Sequence, residues 1–115
     1  MIIVLTTALV GCFTMLGLAK VAGTAGMLAR AEHVGFNSAA YKRIGALELL
    51  AALGLLLGLV ESWIGLAAAV GLVLLMTGAC ITHLRNGDGP REIAPAVAMT
   101  AGLVSYLVLV TAAIV

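Results

Sequence analysis

The sequence has few charges. Of its 115 residues only 10% are Asp, Glu, Lys or Arg, whereas 63% are hydrophobic. Because soluble globular domains contain about 25% charged residues, this composition excludes an ordinary water-soluble protein. The net charge at pH 7 is only +1 and aromatic residues make up 4% of the chain. No basic run with interleaved aromatics is present, so we expect no nucleic-acid partner. The first five residues also lack a basic charge, which argues against a secretory signal peptide.

Long uncharged runs fill most of the chain. These runs are residues 2–19, 62–84 and 93–115. Between Arg43 and Glu61 only Glu48 is charged. A membrane-spanning helix needs about 20 apolar residues, so four such segments account for almost the whole sequence. We therefore predict an all-α fold, an integral membrane four-helix bundle that forms a single domain over residues 1–115. The predicted spans are about 2–22, 38–60, 63–84 and 94–115.

Several residues mark the helix ends. Asn37 is a typical N-cap for the second span, with Phe36 and Tyr41 as a hydrophobic staple. Pro95 suits the first turn of the fourth span, where its missing N–H costs nothing. Residues 27–33 in the first loop predict a short helix at the membrane interface.

Gly54 and Gly58 form a GxxxG pattern in the second span. Small residues let membrane helices approach closely. We expect this pattern to serve close packing within the bundle, and the alternative is that it forms a homo-oligomer.

The basic residues all fall on one side of the predicted bundle. They are Lys20, Arg30, Lys42, Arg43, Arg85 and Arg91. Because cytoplasmic loops of membrane proteins are enriched in Lys and Arg, we predict that this side is cytoplasmic. The protein is thus expected to be a multi-pass protein of the cell (inner or plasma) membrane, with loops 1 and 3 in the cytoplasm and both termini outside.

One carboxylate lies inside a predicted span. Glu48 follows Arg43 by five residues and is therefore roughly 7–8 Å deeper along the helix. An acidic group at the membrane centre costs about 2.5–3.5 kcal/mol on insertion scales, and somewhat less near the interface. We therefore expect Glu48 to face the protein interior and to pair with Lys20, at the cytoplasmic end of the first span. His83 ends the third span at a similar depth, and His33 lies on the same side. These residues predict a buried Lys20–Glu48–His83 cluster.

These residues also have purely structural interpretations. The long side chain of Lys20 can reach the lipid head groups, and Glu48 can form a structural ion pair with Lys20 or Arg43. His83 can interact with the carbonyl end of its helix, and Arg43 can act as a topology anchor.

Cys80 and His83 have a spacing that allows two metal ligands, but no third ligand is evident. We expect neither a metal site nor a haem.

Four stretches of the sequence resemble the DoxX-like family of small four-helix membrane proteins. They are GLAK, HVGF, YKRIGALELLAALGLLLGL and GLVLLMTGACITHLRNGD. The residues that match the family pattern are Lys20, His33, Arg43, Gly45, Glu48, Gly54, Gly78, His83 and Asp88. The resemblance covers about residues 13–95. It implies a link to redox chemistry, because the family takes its name from a subunit associated with thiosulfate and quinol oxidation. Other members are linked to the assembly of redox complexes.

The cluster and the resemblance together predict a binding or accessory subunit. Its ligand would be a quinone-like or other lipophilic molecule, and its partner a redox protein in the membrane or the cytoplasm. The cofactor stays open, with a quinone as one candidate. The expected ligand-binding residues are Lys20, His33, Arg43, Glu48, His83 and Asp88. The alternative is an intramembrane acid–base enzyme, an isomerase or an epoxide-opening hydrolase, that acts on a small lipophilic substrate. In that case Glu48, His83 and Lys20 would be the catalytic residues.

Overall fold

The computed structural model of the chain describes residues 1–23, 25–33, 35 and 37–114. These residues contain five α-helices and no strand, which confirms the predicted all-α class. The helices are α1 (Ile2–Ala22), α2 (Ala25–His33), α3 (Ser38–Leu57), α4 (Ser62–Arg85) and α5 (Pro90–Ile114). The predicted count of four therefore needs correction, because four long helices are accompanied by a fifth, short one. This short helix, α2, contains the segment that the sequence predicted as an interfacial helix.

The long helices have the character of membrane spans. Among the described residues, α1, α4 and α5 are long and apolar enough to cross a membrane, with mean hydropathies of 2.2, 2.3 and 2.1. Helix α3 has 20 residues but includes Lys42, Arg43 and Glu48, and these charges keep it out of that group. Large apolar side chains are exposed on the outside of all four long helices. A helix that is apolar on every side belongs in a large core or in a bilayer, so the chain is a membrane protein.

The four long helices form a ring in the order α1, α3, α4, α5. Each packs against its two neighbours in the ring, and the largest interface is between α1 and α3. Helix α2 packs on α1 and α3. It lies at the end of the bundle that holds all six Lys and Arg residues, here called the basic end. The centre of the ring is filled mainly by Phe13, Leu55, Leu72, Leu103 and Tyr106, which are fully or almost fully buried.

Glycines set the distances between neighbouring helices. A Cβ atom added at Gly54 would lie 2.8 Å from the Cβ of Ala68, and one added at Gly58 would lie 2.6 Å from the Cα of Gly65. Both contacts join α3 to α4. The GxxxG pattern therefore serves packing within the bundle, as predicted, because only residues without a side chain let the two backbones come this close.

The start of α3 follows the sequence prediction. Asn37 has an extended backbone, and its side-chain Oδ1 accepts a hydrogen bond of 2.7 Å from the backbone N–H of Ala40. This is the N-cap interaction that the sequence predicted. Phe36, the other half of the predicted staple, lies outside the described residues. Helix α3 ends at Leu57 rather than near residue 60.

The start of α5 was predicted wrongly. The helix begins at Pro90 rather than near residue 94, so Pro95 lies inside it and not in its first turn. Pro90 suits the first helical position because its missing N–H would have no partner there. In addition, the Oε2 atom of Glu92 accepts a hydrogen bond of 3.1 Å from the backbone N–H of Gly89. This is the return bond of a capping box, and it stabilises the earlier start.

Candidate functional site

A cavity of about 690 Å³ lies at the basic end, and all five helices contribute to its wall. Its size is within the range of small-molecule binding sites. The polar side chains in its wall include Lys20, Arg30, His33, Tyr41, Glu48 and His83. The apolar side chains include Leu16, Leu74, Leu75, Met76 and Met99. The cavity is therefore amphipathic.

The predicted ion pair between α1 and α3 is present. Lys20 Nζ donates a hydrogen bond to Oε1 of Glu48. The Glu48 side chain is fully buried, and the Lys20 side chain is 11% exposed. The Lys20 ammonium group also lies 5.2 Å from the ring centroid of Tyr41, which is a cation–π distance. The cation is thus held between a carboxylate and an aromatic face.

Two glycines explain why this pair can form. Gly17 precedes Lys20 by three residues, and Gly45 precedes Glu48 by three residues, so each glycine shares a helix face with its charged neighbour. A Cβ atom added at either glycine would lie 2.8 Å from the backbone oxygen of the other. Helices α1 and α3 therefore cross in close contact at these glycines, and the crossing brings the two charged side chains within reach.

The second oxygen of Glu48 has no hydrogen-bonding partner among the described residues. Oε2 is buried and makes no hydrogen bond with the described residues. Leaving a buried acceptor unsatisfied costs about 1–3 kcal/mol, and more when it is charged. Glu48 borders the cavity, so a molecule bound there could reach this oxygen only after a small movement of the neighbouring side chains. The other such atom among the described residues is Oγ1 of Thr6. It lies 14 residues before Lys20 on α1, roughly 21 Å away along the helix.

A second polar group joins α2 to the connection between α4 and α5. Asp88 Oδ1 lies 2.8 Å from His33 Nε2, and Asp88 Oδ2 lies 2.6 Å from His83 Nδ1. The side-chain amide of Asn86 donates to the backbone oxygen of His33 (3.1 Å) and to Asp88 Oδ1 (3.3 Å). The hydrogen bond with His83 holds the pKa of the Asp88 carboxyl below its usual range, and the bonds with His33 and Asn86 act in the same direction against partial desolvation.

The sequence of the whole chain can be compared with known protein families. Residues 4–114 match the sequence model of the DoxX-like family. The chain belongs to the DoxX-like family. The match extends beyond residues 13–95, over which the short motifs already resembled the family. Neither a curated protein nor a solved structure matches the chain.

The cavity of this DoxX-like protein brings together most of the predicted site residues. Lys20, His33, Glu48 and His83 line it, and Asp88 is hydrogen-bonded to both histidines. The hydrogen-bonding partner of His83 is Asp88 rather than the Lys20–Glu48 pair, so the polar residues form two groups instead of one cluster. Whether they bind a ligand stays a prediction.

Arg43 is the predicted ligand-binding residue that lies elsewhere. Its side chain is exposed and is not part of the cavity wall. An exposed cation at the basic end fits its interpretation as a topology anchor. Among the described residues, no three His, Cys, Asp or Glu side chains come together in a way that could hold a metal ion.

The sequence did not assign a site role to several residues of this DoxX-like protein. Tyr41 contacts the Lys20 ammonium group, although the sequence suggested only a role in the staple. Arg30 and Arg91 line the cavity but were counted only as topology signals. Asn86 donates hydrogen bonds to His33 and Asp88. The glycines that follow it at positions 87 and 89 were a usable signal of a turn, and Asn side chains in turns often bond to nearby groups.

Proposed function

We propose that this protein binds a lipophilic small molecule in the cavity at the basic end. The polar part of the molecule would lie against Lys20 and Glu48, and its apolar part against Leu74, Leu75 and Met99. The observation that carries this proposal is a ligand-sized cavity whose wall includes a fully buried carboxylate, one oxygen of which has no partner in the part of the chain that the structure describes.

A purely structural ion pair explains this arrangement less well. Buried polar atoms in native proteins almost always have hydrogen-bonding partners, and an ionisable residue inside a membrane helix is functional by default. A pair that served only stability would be expected to use both oxygens of Glu48. Here one oxygen is used, and the residue borders a cavity of about 690 Å³.

We further propose that α3 crosses the membrane together with α1, α4 and α5. Its 20 residues reach roughly 30 Å, and it packs between α1 and α4 in the ring. Its two basic residues lie at the basic end, and Glu48 is buried. The positive charges support an orientation in the cell membrane with the basic end in the cytoplasm and both termini outside. Labelling of single cysteines introduced at position 2 and at position 113 with an impermeant reagent, on intact cells, tests this orientation.

Quinone-like molecules belong to the proposed ligand class. Their ring oxygens can accept a hydrogen bond from the Lys20 ammonium group, and their apolar tails suit the inner wall of the cavity. Binding of such a molecule would fit an accessory role beside a redox protein in the membrane or the cytoplasm. This role would be supported if a redox protein co-purified with the wild type but not with a variant whose cavity is filled.

Acid–base catalysis is the second candidate function. Two groups able to exchange protons line the same cavity, namely Glu48 and His83, and His83 is hydrogen-bonded to Asp88. An isomerase or an epoxide-opening hydrolase needs such an acid and base near a lipophilic substrate. Ligand that is released chemically unchanged would favour the binding role, and conversion that stops in Glu48→Gln would favour the enzyme.

A pair of glycine variants on α4 tests the binding proposal. A Cβ added at Gly71 or at Gly78 meets no atom within 4 Å, so both positions accept a larger side chain. Gly78 lines the cavity, whereas Gly71 lines an apolar groove on the outside of α3 and α4. We expect Gly78→Leu to fill the cavity and Gly71→Leu to leave it open.

The measurement is the binding of an isoprenoid quinone and its quinol to purified protein in lipid nanodiscs. We expect the wild type and Gly71→Leu to bind with the same affinity, and Gly78→Leu to bind at least about tenfold more weakly. Absence of binding to the wild type would contradict the proposal for this ligand class. Equal binding by Gly78→Leu would show that the ligand lies outside the cavity.

A further inference from the structure

We infer that the ligand of the cavity is a hydrogen-bond donor, a lipophile whose hydroxyl group donates to Oε2 of Glu48. This inference rests on the proposed function and narrows it to phenols, hydroquinones and comparable alcohols. Ketones, quinones and ethers of similar shape would bind more weakly, because they offer acceptors only.

The hydrogen bonds of the two Glu48 oxygens determine which kind of ligand group can bind to Oε2. Oε1 receives the hydrogen bond from Lys20, and Oε2 receives none from the described residues. A carboxylate can only accept hydrogen bonds. The group that completes this site must therefore donate, and an O–H donor to a carboxylate forms a bond about twice as strong as one between neutral groups.

Oε2 of Glu48 is closed to solvent in this conformation. The Glu48 side chain is fully buried, although the residue borders the cavity. A ligand hydroxyl reaches Oε2 when a neighbouring side chain moves aside. Met76 and Met99 line the same cavity, and methionine side chains adapt their shape at low cost.

The surroundings of Glu48 select for a lipophile rather than a small polar donor. On α4, Leu74, Leu75 and Met76 line the cavity at positions further from the basic end than His83. On α1, Leu16 lies one turn deeper than Lys20 and also lines it. A bound molecule therefore meets aliphatic side chains as well as the polar groups. For a quinone-like ligand, the consequence is that the cavity holds the reduced form more tightly than the oxidised form.

A matched pair of probes tests the inference. The probes are a long-chain alkylphenol and its O-methyl ether, which share their apolar part and differ in the donor. Their affinities are measured by calorimetry with full-length protein in nanodiscs. We expect the wild type to bind the phenol at least about tenfold more tightly than the ether, since hydrogen bonds to charged groups have effects of this size. The preference should fall to less than threefold in Glu48→Gln and stay unchanged in Arg43→Gln, whose side chain lies outside the cavity.

Each outcome has a distinct meaning. If the wild type binds neither probe nor the quinone and quinol, the proposed function fails and the inference fails with it. If it binds phenol and ether equally, the cavity binds lipophiles but the donor requirement is wrong. If Glu48→Gln still binds the phenol more tightly than the ether, the phenol hydroxyl donates to a group other than Glu48 and the inference is wrong.

A second measurement needs no variant. Infrared difference spectra of the wild type should show a shift of a carboxylate band when the phenol binds and no such shift with the ether. Identical spectra for the two probes would overturn the inference even if Glu48→Gln failed to fold.

Discussion

The close crossing of α1 and α3 can be tested by two glycine substitutions on α1. A Cβ added at Gly17 would lie 2.8 Å from both the backbone oxygen of Gly45 and the Cγ atom of Leu49. Ordinary contact begins at 3.4 Å, so the added carbon is 0.6 Å too close to a backbone atom that cannot turn away. Gly17→Ala should therefore push the helices apart and destabilise the protein by about 1–3 kcal/mol. The same movement strains the ion pair between Lys20 and Glu48.

The matched control is Gly11→Ala, also on α1. A Cβ at Gly11 meets no atom within 4 Å. Because alanine is the better helix former, this variant should be neutral or more stable by about 0.5–1 kcal/mol. The assay is the free energy of unfolding in detergent micelles, followed by loss of helical circular dichroism. If Gly17→Ala were as stable as Gly11→Ala, α1 and α3 would not cross as closely as described, and the explanation of the ion pair would be wrong.

Three further predictions concern single side chains and use the same unfolding assay. Lys20→Met leaves the buried Glu48 carboxylate without a counter-charge and should lower the free energy of unfolding by about 3–5 kcal/mol. Adding Glu48→Gln should recover most of this loss, and no recovery would mean that the two residues are not coupled. The pKa of Asp88 is lowered, first by its hydrogen bond with His83, so its contribution to stability is complete above the unfolded pKa of about 3.9 and is lost as the pH falls through the lower folded value. Asp88→Asn should accordingly reduce the slope of stability against pH below about pH 4, and an unchanged slope would contradict this. Asn37→Ala removes the N-cap of α3 and should cost about 1 kcal/mol, whereas an effect near zero would mean that the cap is replaced by water.

Much of the fold could be predicted from local features of the sequence. Helix α1 spans residues 2–22, as predicted, and Asn37 caps α3 as expected. The Lys20–Glu48 pair was also predictable. A lone carboxylate in an apolar span needs a counter-charge at its own depth, and glycines beside both residues allow two helices to meet there.

Other features depend on contacts that local patterns do not contain. Pro90 and Pro95 are both plausible first residues of a helix. Residues 86–90, with the sequence NGDGP, are typical of a turn, and this pattern favoured the later start. The bond from Glu92 back to Gly89 decides in favour of Pro90. The pairing of His33 with Asp88 depends on how α2 lies against the bundle, since the two residues are 55 positions apart. The unpaired oxygen of Glu48 is likewise a property of the packed structure alone.

The order of the helices along the chain has a consequence for biogenesis. The helix with a carboxylate in its middle packs most extensively on α1, which precedes it in the chain. Lys20 lies 28 residues before Glu48, so the cation emerges from the ribosome before the acidic residue. We therefore expect α3 to enter the bilayer together with α1 as a hairpin, and its negative charge need not face lipid alone at any stage of insertion.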